Sequence, residues 1–319
     1  MKILYGVQLN GNGHLTRSIE VINKLRSRGH LVDIITSGEN CNLDLEIEHK
    51  HFKGLDLFLD DYGSISWMKT LRRANIYRLV KDTNLDVSEY DLVISDFEPI
   101  SAWSSIRSGV RSIGISNQYS LLSQSVSNTK DFIYREFVRV FAPCDDYIGL
   151  NYLKDEDYMS YPIISDKLFK KMKSNNSILV YLPNYDINKQ IEIFNKFQDF
   201  NFIVYSKNII DCENHIKIKS HNRDEFILDM IKCHSVITAS GFTTTTESLV
   251  LGKKLWSIPM GNHYEQLSNS KKLIDMGVFT DNLSVENFRI WIEDYKKIEY
   301  DWEDPIDEII KKIENYEEN

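Results

Sequence analysis

The sequence predicts an α/β protein with two Rossmann-like, doubly wound domains that face a cleft. Short, continuous apolar runs alternate with amphipathic helical patterns, and this alternation breaks off after residue 151 and then starts again. The chain has 319 residues, which is longer than one average domain. With 42% apolar and 27% charged residues, its composition excludes disordered, collagenous and disulfide-scaffold classes.

The apolar runs are expected to be buried parallel strands, because strands covered by helices on both faces are apolar without alternation. In the first half these runs are 2–7, 31–36, 92–95, 110–115 and 147–151. In the second half they are 177–182, 201–205, 215–219, 235–239 and 254–258. Ligands of such sheets bind outside the carboxyl ends of the strands, so the loops that follow these runs are the places to search for chemistry.

Three segments follow from this pattern. Residues 1–155 form an N-terminal domain, residues 176–300 a C-terminal domain, and residues 301–319 an acidic helix or tail. Between the two domains lie a charged run, a Tyr-Pro pair and a basic stretch, which are typical of a linker. Residues 293–319 carry a net charge of −7, out of −9 for the whole chain. The tail is expected to be a solvated helix face with a frayed end.

A basic stretch at residues 66–81 contains five lysines and arginines, among them Arg72 and Arg73, and no acidic residue. These charges could face an anionic acceptor, a lipid phosphate or a nucleic-acid backbone. They could equally be the solvated face of a helix whose apolar side lies in the core. No apolar run approaches the roughly 20 residues of a membrane span, so we expect a cytoplasmic protein, with peripheral contact at the inner membrane face as an alternative.

A glycine-rich turn follows the first apolar run and contains Gly11, Gly13 and His14. An imidazole at a helix start beside a strand end is placed to accept a proton from a hydroxyl. Such a base works better when a carboxylate holds its other nitrogen, and Asp96 and then Glu98 are the candidates at the end of another buried run. Either carboxylate could instead cap a helix.

The same turn has a second interpretation, a dinucleotide-binding fingerprint. Asp33 lies 20 residues beyond Gly13, near the distance at which an acidic residue binds a ribose. However, Thr16 stands at the third glycine position, and Asp33 lies inside an apolar run. We therefore favour the histidine-centred interpretation.

A second constellation follows the run 235–239. There the chain reads Ser240, Gly241, Phe242, Thr243, Thr244, with Glu247 one helical turn further on. A helix start of this kind offers backbone N–H groups and a positive dipole end, which suit a diphosphate. Glu247 could accept both hydroxyls of a ribose, although ordinary capping beside an exposed glutamate would give the same pattern. Pro183 and Asn184, after the run 177–182, could touch the donor phosphates.

On these motifs the chain resembles the GT-B nucleotide-sugar glycosyltransferases, specifically their MurG-like and UDP-glycosyltransferase-like branch, over nearly its whole length. The resemblance rests on Gly11, Gly13, His14, Ser240–Phe242, Glu247, Gly252, Pro259, Glu265, Gln266 and Asn269. It implies that His14 is the catalytic base supported by Asp96, that Glu247 binds the ribose, and that Glu265 and Gln266 contact donor-sugar hydroxyls. Lys254 and Thr244 depart from the family pattern, and these departures concern the donor sugar.

The activity implied is an inverting, metal-independent transfer of a sugar from a nucleoside-diphosphate sugar, most readily a UDP-sugar, to an acceptor hydroxyl. No cofactor and no metal would be needed. The acceptor, a glycan or lipid-linked molecule, belongs to the first domain, beside Gly11, Asn12, Gly13, Glu98, Arg72 and Arg73. Two alternatives remain open: a hydrolase that cleaves the nucleotide sugar with water, and a glycosyltransferase that modifies hydroxylated bases in DNA.

Overall fold

A computed structural model describes residues 1–9, 12–38, 48–54, 80–122, 129–154, 157–212, 214–261 and 263–316. The chain divides into two compact units. Unit 1 contains the described residues up to Ile163 together with residues 303–316, and unit 2 contains Ile164–Trp302. The change from one unit to the other at Ile163 falls within residues 156–175, the stretch that the sequence pattern assigns to neither domain.

Unit 1 is built on a parallel sheet whose described strands run in the order β3-β2-β1-β4-β5-β6-β7. The strands are β1 Lys2–Gln8, β2 Leu31–Ser37, β3 Lys50–Phe52, β4 Leu92–Asp96, β5 Ser112–Ser116, β6 Asp146–Leu150 and β7 Met159–Ser160. Its helices include α1 Asn12–Ser27, α2 Pro99–Ser108 and α3 Thr129–Phe141, with a short 3-10 helix at Gln118–Leu122. The chain extends the sheet first to one side of β1 and then, from β4, to the other, so the switch point lies between β1 and β4.

Unit 2 repeats this plan with a parallel sheet in the order β10-β9-β8-β11-β12-β13. The strands are β8 Ser177–Tyr181, β9 Asn201–Tyr205, β10 Ile216–Lys219, β11 Ser235–Ala239, β12 Lys254–Ile258 and β13 Phe279–Thr280. The described α-helices are α4 Ile187–Phe194, α5 Arg223–Lys232, α6 Phe242–Val250, α7 Tyr264–Asp275 and α8 Val285–Asp294. Its switch point lies between β8 and β11. Fully buried Trp256, Trp291 and Phe288 anchor its core.

The predicted α/β class with two doubly wound domains is confirmed, and all ten predicted strands are present with ends that differ by at most two residues. The prediction missed β3, β7 and β13, which are two or three residues long. Each of the three is the outermost described strand on one side of its sheet, and none contains an apolar run long enough to be recognised as a strand. Within the described ranges, no helix combines the length and the apolar character that a membrane crossing requires.

The expectation of a solvated C-terminal tail is wrong for its central part. Residues Ile306–Asn315 form helix α9, and its Ile309, Ile310 and Ile313 are fully buried within unit 1. The burial of each such side chain contributes about 1.5–3 kcal/mol, far more than an exposed ion pair. Ion pairs of α9 with Lys24 and Lys154, and a hydrogen bond with His30, surround this apolar contact. The acidic face of α9 is solvated as predicted, but the helix is an integral part of unit 1.

Candidate active site

The switch point of unit 1 brings His14 and Asp96 together. β1 pairs in parallel with β4, and Val7 lies opposite Asp96 in the register. α1 begins a few residues after β1, so its first turn, which contains His14, starts where β4 ends in Asp96. The two residues are 82 positions apart in sequence, and the parallel pairing alone accounts for their proximity.

His14 and Asp96 are hydrogen-bonded in the interior of unit 1. His14 Nδ1 lies 2.8 Å from Asp96 Oδ1, with 10% of the histidine side chain and 1% of the aspartate side chain exposed. Arg17, one helical turn further along α1, donates from Nε to Asp96 Oδ2 at 2.8 Å and from Nη2 to Asp96 Oδ1 at 2.5 Å. Ser18 Oγ donates to Asp96 Oδ2 at 2.9 Å. Each oxygen of the carboxylate therefore has two polar neighbours, and the two Arg17 nitrogens and the Ser18 hydroxyl are donors to it.

These partners keep the Asp96 carboxylate ionised. Burial alone raises the pKa of Asp96, but the neighbouring Arg17 guanidinium and the His14 ring outweigh burial and lower that pKa to about 2. A bidentate arginine is the strongest partner that a buried carboxylate can have. Asp96 is consequently an acceptor at all physiological pH values and cannot itself take the proton of His14.

The backbone just after Asp96 turns through an unusual conformation. Phe97 has φ 52°, in the left-handed region that costs a residue with a side chain about 1–2 kcal/mol. Its ring is buried and lies 5.7 Å from the ring of Tyr119 and 4.9 Å from that of Phe141, centre to centre. Because this aromatic packing holds Phe97 in place, the turn is fixed, and strain of this kind clusters at functional sites.

Glu98 does not serve as the partner of His14. Its buried carboxylate caps α2 by accepting hydrogen bonds from Ile100 N and Ser101 N, and it also accepts one from Ser37 Oγ at 2.5 Å. Burial raises its pKa. Glu98 is fully buried, so the structure does not place it on the acceptor side as the sequence predicted. The alternative prediction, that this carboxylate caps a helix, is correct. Gly6 permits the first turn of α2 to pack closely against β1, since a Cβ on residue 6 would lie 2.0 Å from Ser101 Oγ.

The other predicted acceptor-side residues are described only in part. Asn12 and Gly13 form the partly exposed first turn of α1, directly before His14. Gly11, Arg72 and Arg73 lie outside the described residues. Across the part of the chain that is described, no group of three or more His, Cys, Asp and Glu side chains could hold a metal ion.

Asp33 lies within β2, and its carboxylate accepts a hydrogen bond from the Tyr90 hydroxyl at 3.0 Å. A dinucleotide fingerprint requires the acidic residue near the end of the second strand. Asp33 is only the third residue of β2, so this alternative interpretation of the glycine turn is not supported.

At the switch point of unit 2, β11 leads through Ser240 and Gly241 into α6. Gly241 is the N-cap residue and supplies no side-chain cap, and the first-turn N–H groups of an α-helix lack partners within the helix. Thr245 and Thr246 return their hydroxyls to backbone carbonyls of α6, whereas Thr243 and Thr244 are partly exposed. This helix start, with Phe242 buried behind it, has the features that bind a phosphate group.

Glu247 is more buried than the sequence predicts, with 1% of its side chain exposed. It forms a bidentate ion pair with Arg223, from the start of α5, in which Nη1 lies 3.3 Å from Oε2 and Nη2 contacts Oε1. A bidentate arginine occupies about one lone pair on each carboxylate oxygen, so two acceptor positions remain. Arg223 thus fixes the orientation of the Glu247 carboxylate, and burial of that side chain leaves its remaining acceptor positions covered in this structure.

The loops around α6 are connected by side-chain hydrogen bonds. Asn269 Nδ2 donates to Ser240 O at 3.0 Å, and the Ser240 hydroxyl lies 2.7 Å from that of Ser257. Gln266 Oε1 accepts from Met260 N at 3.0 Å, and Asn184 Nδ2 lies 2.7 Å from Met260 Sδ. Gln266 and Asn184 therefore meet at one turn after β12. Pro183 and Asn184 are exposed after β8, and Glu265 is partly exposed in the first turn of α7.

The sequence interpretation missed Arg17. As the i+3 neighbour of His14 it lies on the buried face of α1 with Ser18 and Val21, and only 5% of it is exposed. A cation on an otherwise buried helix face, three residues from a candidate base, is the signal that could have revealed it. The counter-charge of Asp96 explains how it can be buried.

Each unit is a doubly wound parallel sheet with polar residues collected at its switch point, and this is the two-domain plan of the GT-B glycosyltransferases. The chain matches glycosyl transferase family 1 over residues 1–293 and belongs to that family.

Solved structures of low sequence identity share the fold. The Streptomyces sp. SF2575 glycosyltransferase SsfS6, complexed with thymidine diphosphate, is 15% identical with a TM-score of 0.59, and the match covers 98% of this chain and 99% of that one. Arabidopsis thaliana UGT89C1, complexed with quercetin, is 12% identical with a TM-score of 0.59, covering 92% of this chain and 90% of that one. Among curated proteins, the L-arabinokinase of Arabidopsis thaliana is 26% identical over an alignment of 148 residues, and the match covers 42% of this chain and 13% of that protein.

Proposed function

We propose that this glycosyltransferase is inverting and metal-independent, and that it moves a sugar from a nucleoside-diphosphate sugar to an acceptor hydroxyl. The observation that carries the proposal is the buried hydrogen bond between His14 and Asp96 at the switch point of unit 1. A histidine held by an ionised carboxylate is the arrangement that general-base catalysis requires. The acceptor is expected to be a glycan or a lipid-linked hydroxyl compound.

His14 performs the proton transfer in this mechanism. In this proposal His14 Nδ1 carries the hydrogen and donates it to Asp96 Oδ1, 2.8 Å away, and the lone pair of Nε2 is available to take the acceptor's proton. Asp96 stays ionised and stabilises the imidazolium that forms. The attraction between the Asp96 carboxylate and the charge that forms on His14 develops only in the transition state. An interaction of this kind raises kcat.

Unit 2 supplies the donor side. The diphosphate would lie at the start of α6, where N–H groups and the helix dipole meet the charge that develops on the leaving group. The two acceptor positions that Arg223 leaves on Glu247 match the two hydroxyls of a ribose in number, and their use requires the buried carboxylate to become accessible to the donor. SsfS6 was solved with thymidine diphosphate, so we consider thymidine as well as uridine diphosphate for the donor.

The reaction proceeds in one displacement. A bond forms between the acceptor oxygen and the anomeric carbon while the bond from that carbon to the phosphate oxygen breaks. The acceptor's proton moves to His14 Nε2, and the nucleoside diphosphate leaves with the electron pair. Attack from the face opposite the leaving group inverts the anomeric configuration.

Donor binding is expected to depend on Glu247. UDP or TDP should raise the melting temperature of the wild-type chain, because a ligand that binds only the native state stabilises it. Glu247→Ala removes a charged acceptor of two hydroxyls, worth about 1.5–3 kcal/mol, so the diphosphate should bind about 10- to 100-fold more weakly. A thermal-shift titration with UDP, TDP and GDP measures both effects.

Glu225→Ala is the matched control, since Glu225 is also an ion-paired glutamate of unit 2, 3.5 Å from Lys219. Its ligand-induced shift should equal that of the wild type. An equal diphosphate affinity in Glu247→Ala and wild type would refute the role of Glu247. Absence of any shift with all three diphosphates would count against the donor site at α6.

A further inference from the structure

Arg17 lies at the centre of a buried hydrogen-bond network that extends beyond Asp96. Its Nη1 donates to Asn117 Oδ1 at 3.1 Å, and its Nη2 lies 2.8 Å from Ser116 Oγ, the last residue of β5. The guanidinium therefore ties α1 to the ends of both β4 and β5. Ser116 is fully buried and Asn117 is 6% exposed, so solvent does not compete for these bonds.

The Nη2 atom of Arg17 has more neighbours than hydrogens. It lies 2.5 Å from Asp96 Oδ1, 2.8 Å from Ser116 Oγ and 2.7 Å from His14 Nδ1. A guanidinium NH2 group carries two hydrogens, and arginine has no acceptor. Only two of these three neighbours can receive a hydrogen from Nη2.

The hydrogen bonds of Ser116 indicate which of the three neighbours receives no hydrogen from Arg17 Nη2. The Ser116 hydroxyl donates to Gln118 Oε1, so its lone pairs face the guanidinium and accept from Nη2. Asp96 Oδ1, an anionic oxygen, takes the other hydrogen. His14 Nδ1 then receives none, and it can hold its place beside Asp96 Oδ1 only by carrying a hydrogen itself.

The geometry points to Ser116 as a positioning residue that fixes the tautomer of His14. By accepting the second Nη2 hydrogen of Arg17, Ser116 keeps His14 in the Nδ1–H form, whose Nε2 carries a lone pair. Without Ser116 the guanidinium can tilt so that this hydrogen meets His14 Nδ1, 2.7 Å away, which favours the Nε2–H form. In that form Nε2 has no lone pair with which to take an acceptor's proton.

The tautomer can be measured without any enzyme assay. In protein labelled with ¹⁵N-histidine, long-range proton–nitrogen NMR spectra at a pH where the ring is neutral show which nitrogen is protonated, and His14→Ala identifies the signals of His14. The wild type should show the Nδ1–H form. Ser116→Ala and Ser116→Cys should both show a substantial Nε2–H population, the second because a thiol is a weak acceptor that fills the space and excludes water.

Activity provides the second readout, and this part alone rests on the proposed function. The loss of one hydrogen bond that sets the tautomer, worth about 0.5–1.5 kcal/mol, should lower kcat about 3- to 10-fold, with the donor KM unchanged. Ser112→Ala is the matched control, since Ser112 is a fully buried serine of the same strand whose hydroxyl bonds Asp145 instead. It should change neither the tautomer nor kcat.

An unchanged Nδ1–H tautomer in both Ser116 variants would overturn the inference. That result is independent of the proposed function, which would fail by a different observation, full turnover by His14→Ala. A lower kcat in Ser116→Ala without a change of tautomer would likewise reject the tautomer role and leave Ser116 as a merely structural residue.

Discussion

His14→Ala should lower kcat by about 10²- to 10⁴-fold, the usual contribution of a positioned general base. The donor KM should stay within about twofold, because we propose that residues of α6, and not His14, bind the diphosphate and the ribose. A loss confined to kcat identifies an interaction that exists only in the transition state. Steady-state kinetics with varied donor at saturating acceptor measure both constants.

His30→Ala is the appropriate control. His30 belongs to unit 1 but lies outside the site, where its Nε2 is 3.2 Å from Glu314. Its replacement should leave kcat unchanged. If His14→Ala turned over at the wild-type rate, His14 would not be the base, and the mechanism would be wrong.

Asp96→Asn should destabilise unit 1 as well as slow the reaction. The amide presents one oxygen and one NH2 group, so whichever way it turns, an N–H of Arg17 faces another N–H. The guanidinium, only 5% exposed, would also lose its anion. Breaking a buried ion pair in this way costs about 3–5 kcal/mol, and a misoriented catalytic histidine about 10⁴-fold in kcat. Denaturant unfolding and kinetics on the same preparation measure the two effects.

The stability difference should depend on pH. Because the pKa of Asp96 is about 2 in the folded chain, against 3.8 for an ordinary aspartate, its stabilisation is complete above about pH 4 and is lost as pH falls through 2. The gap between wild type and Asp96→Asn should therefore narrow from pH 4 to pH 2. Asp145→Asn, an exposed aspartate, should cost less than about 1 kcal/mol. Equal stability of Asp96→Asn and wild type would show that Arg17 does not need this carboxylate.

Much of the architecture can be predicted because parallel strands that are buried on both faces give continuous apolar runs in the sequence. The same pattern gives the proximity of His14 and Asp96, since strand ends at a switch point converge. It does not give β13, whose two residues are positioned by pairing with β12. Helix α9 was misjudged because its acidic composition hid the spacing of Ile306, Ile309, Ile310 and Ile313, which repeats at the helical period.

Side-chain pairing within the site is harder to predict. The sequence pattern places Arg17 on a helix and Arg223 in the loop just before one, without indicating which carboxylate either of them contacts. Each is matched by a carboxylate far away in the chain, Asp96 for Arg17 and Glu247 for Arg223. Glu247 was expected to be open to a ligand on its helix face, and its burial depends on the position of α5. Such pairings follow from tertiary packing and not from local periodicity.

The most direct test of the account is the configuration of the transferred sugar at its anomeric carbon. The proton–proton coupling at that carbon, measured by NMR on the freshly formed product, distinguishes the two anomers. A single displacement assisted by His14 predicts inversion relative to the nucleotide sugar. Retention would contradict the account, because it requires either a second displacement through an enzyme nucleophile or attack on the same face as the leaving group.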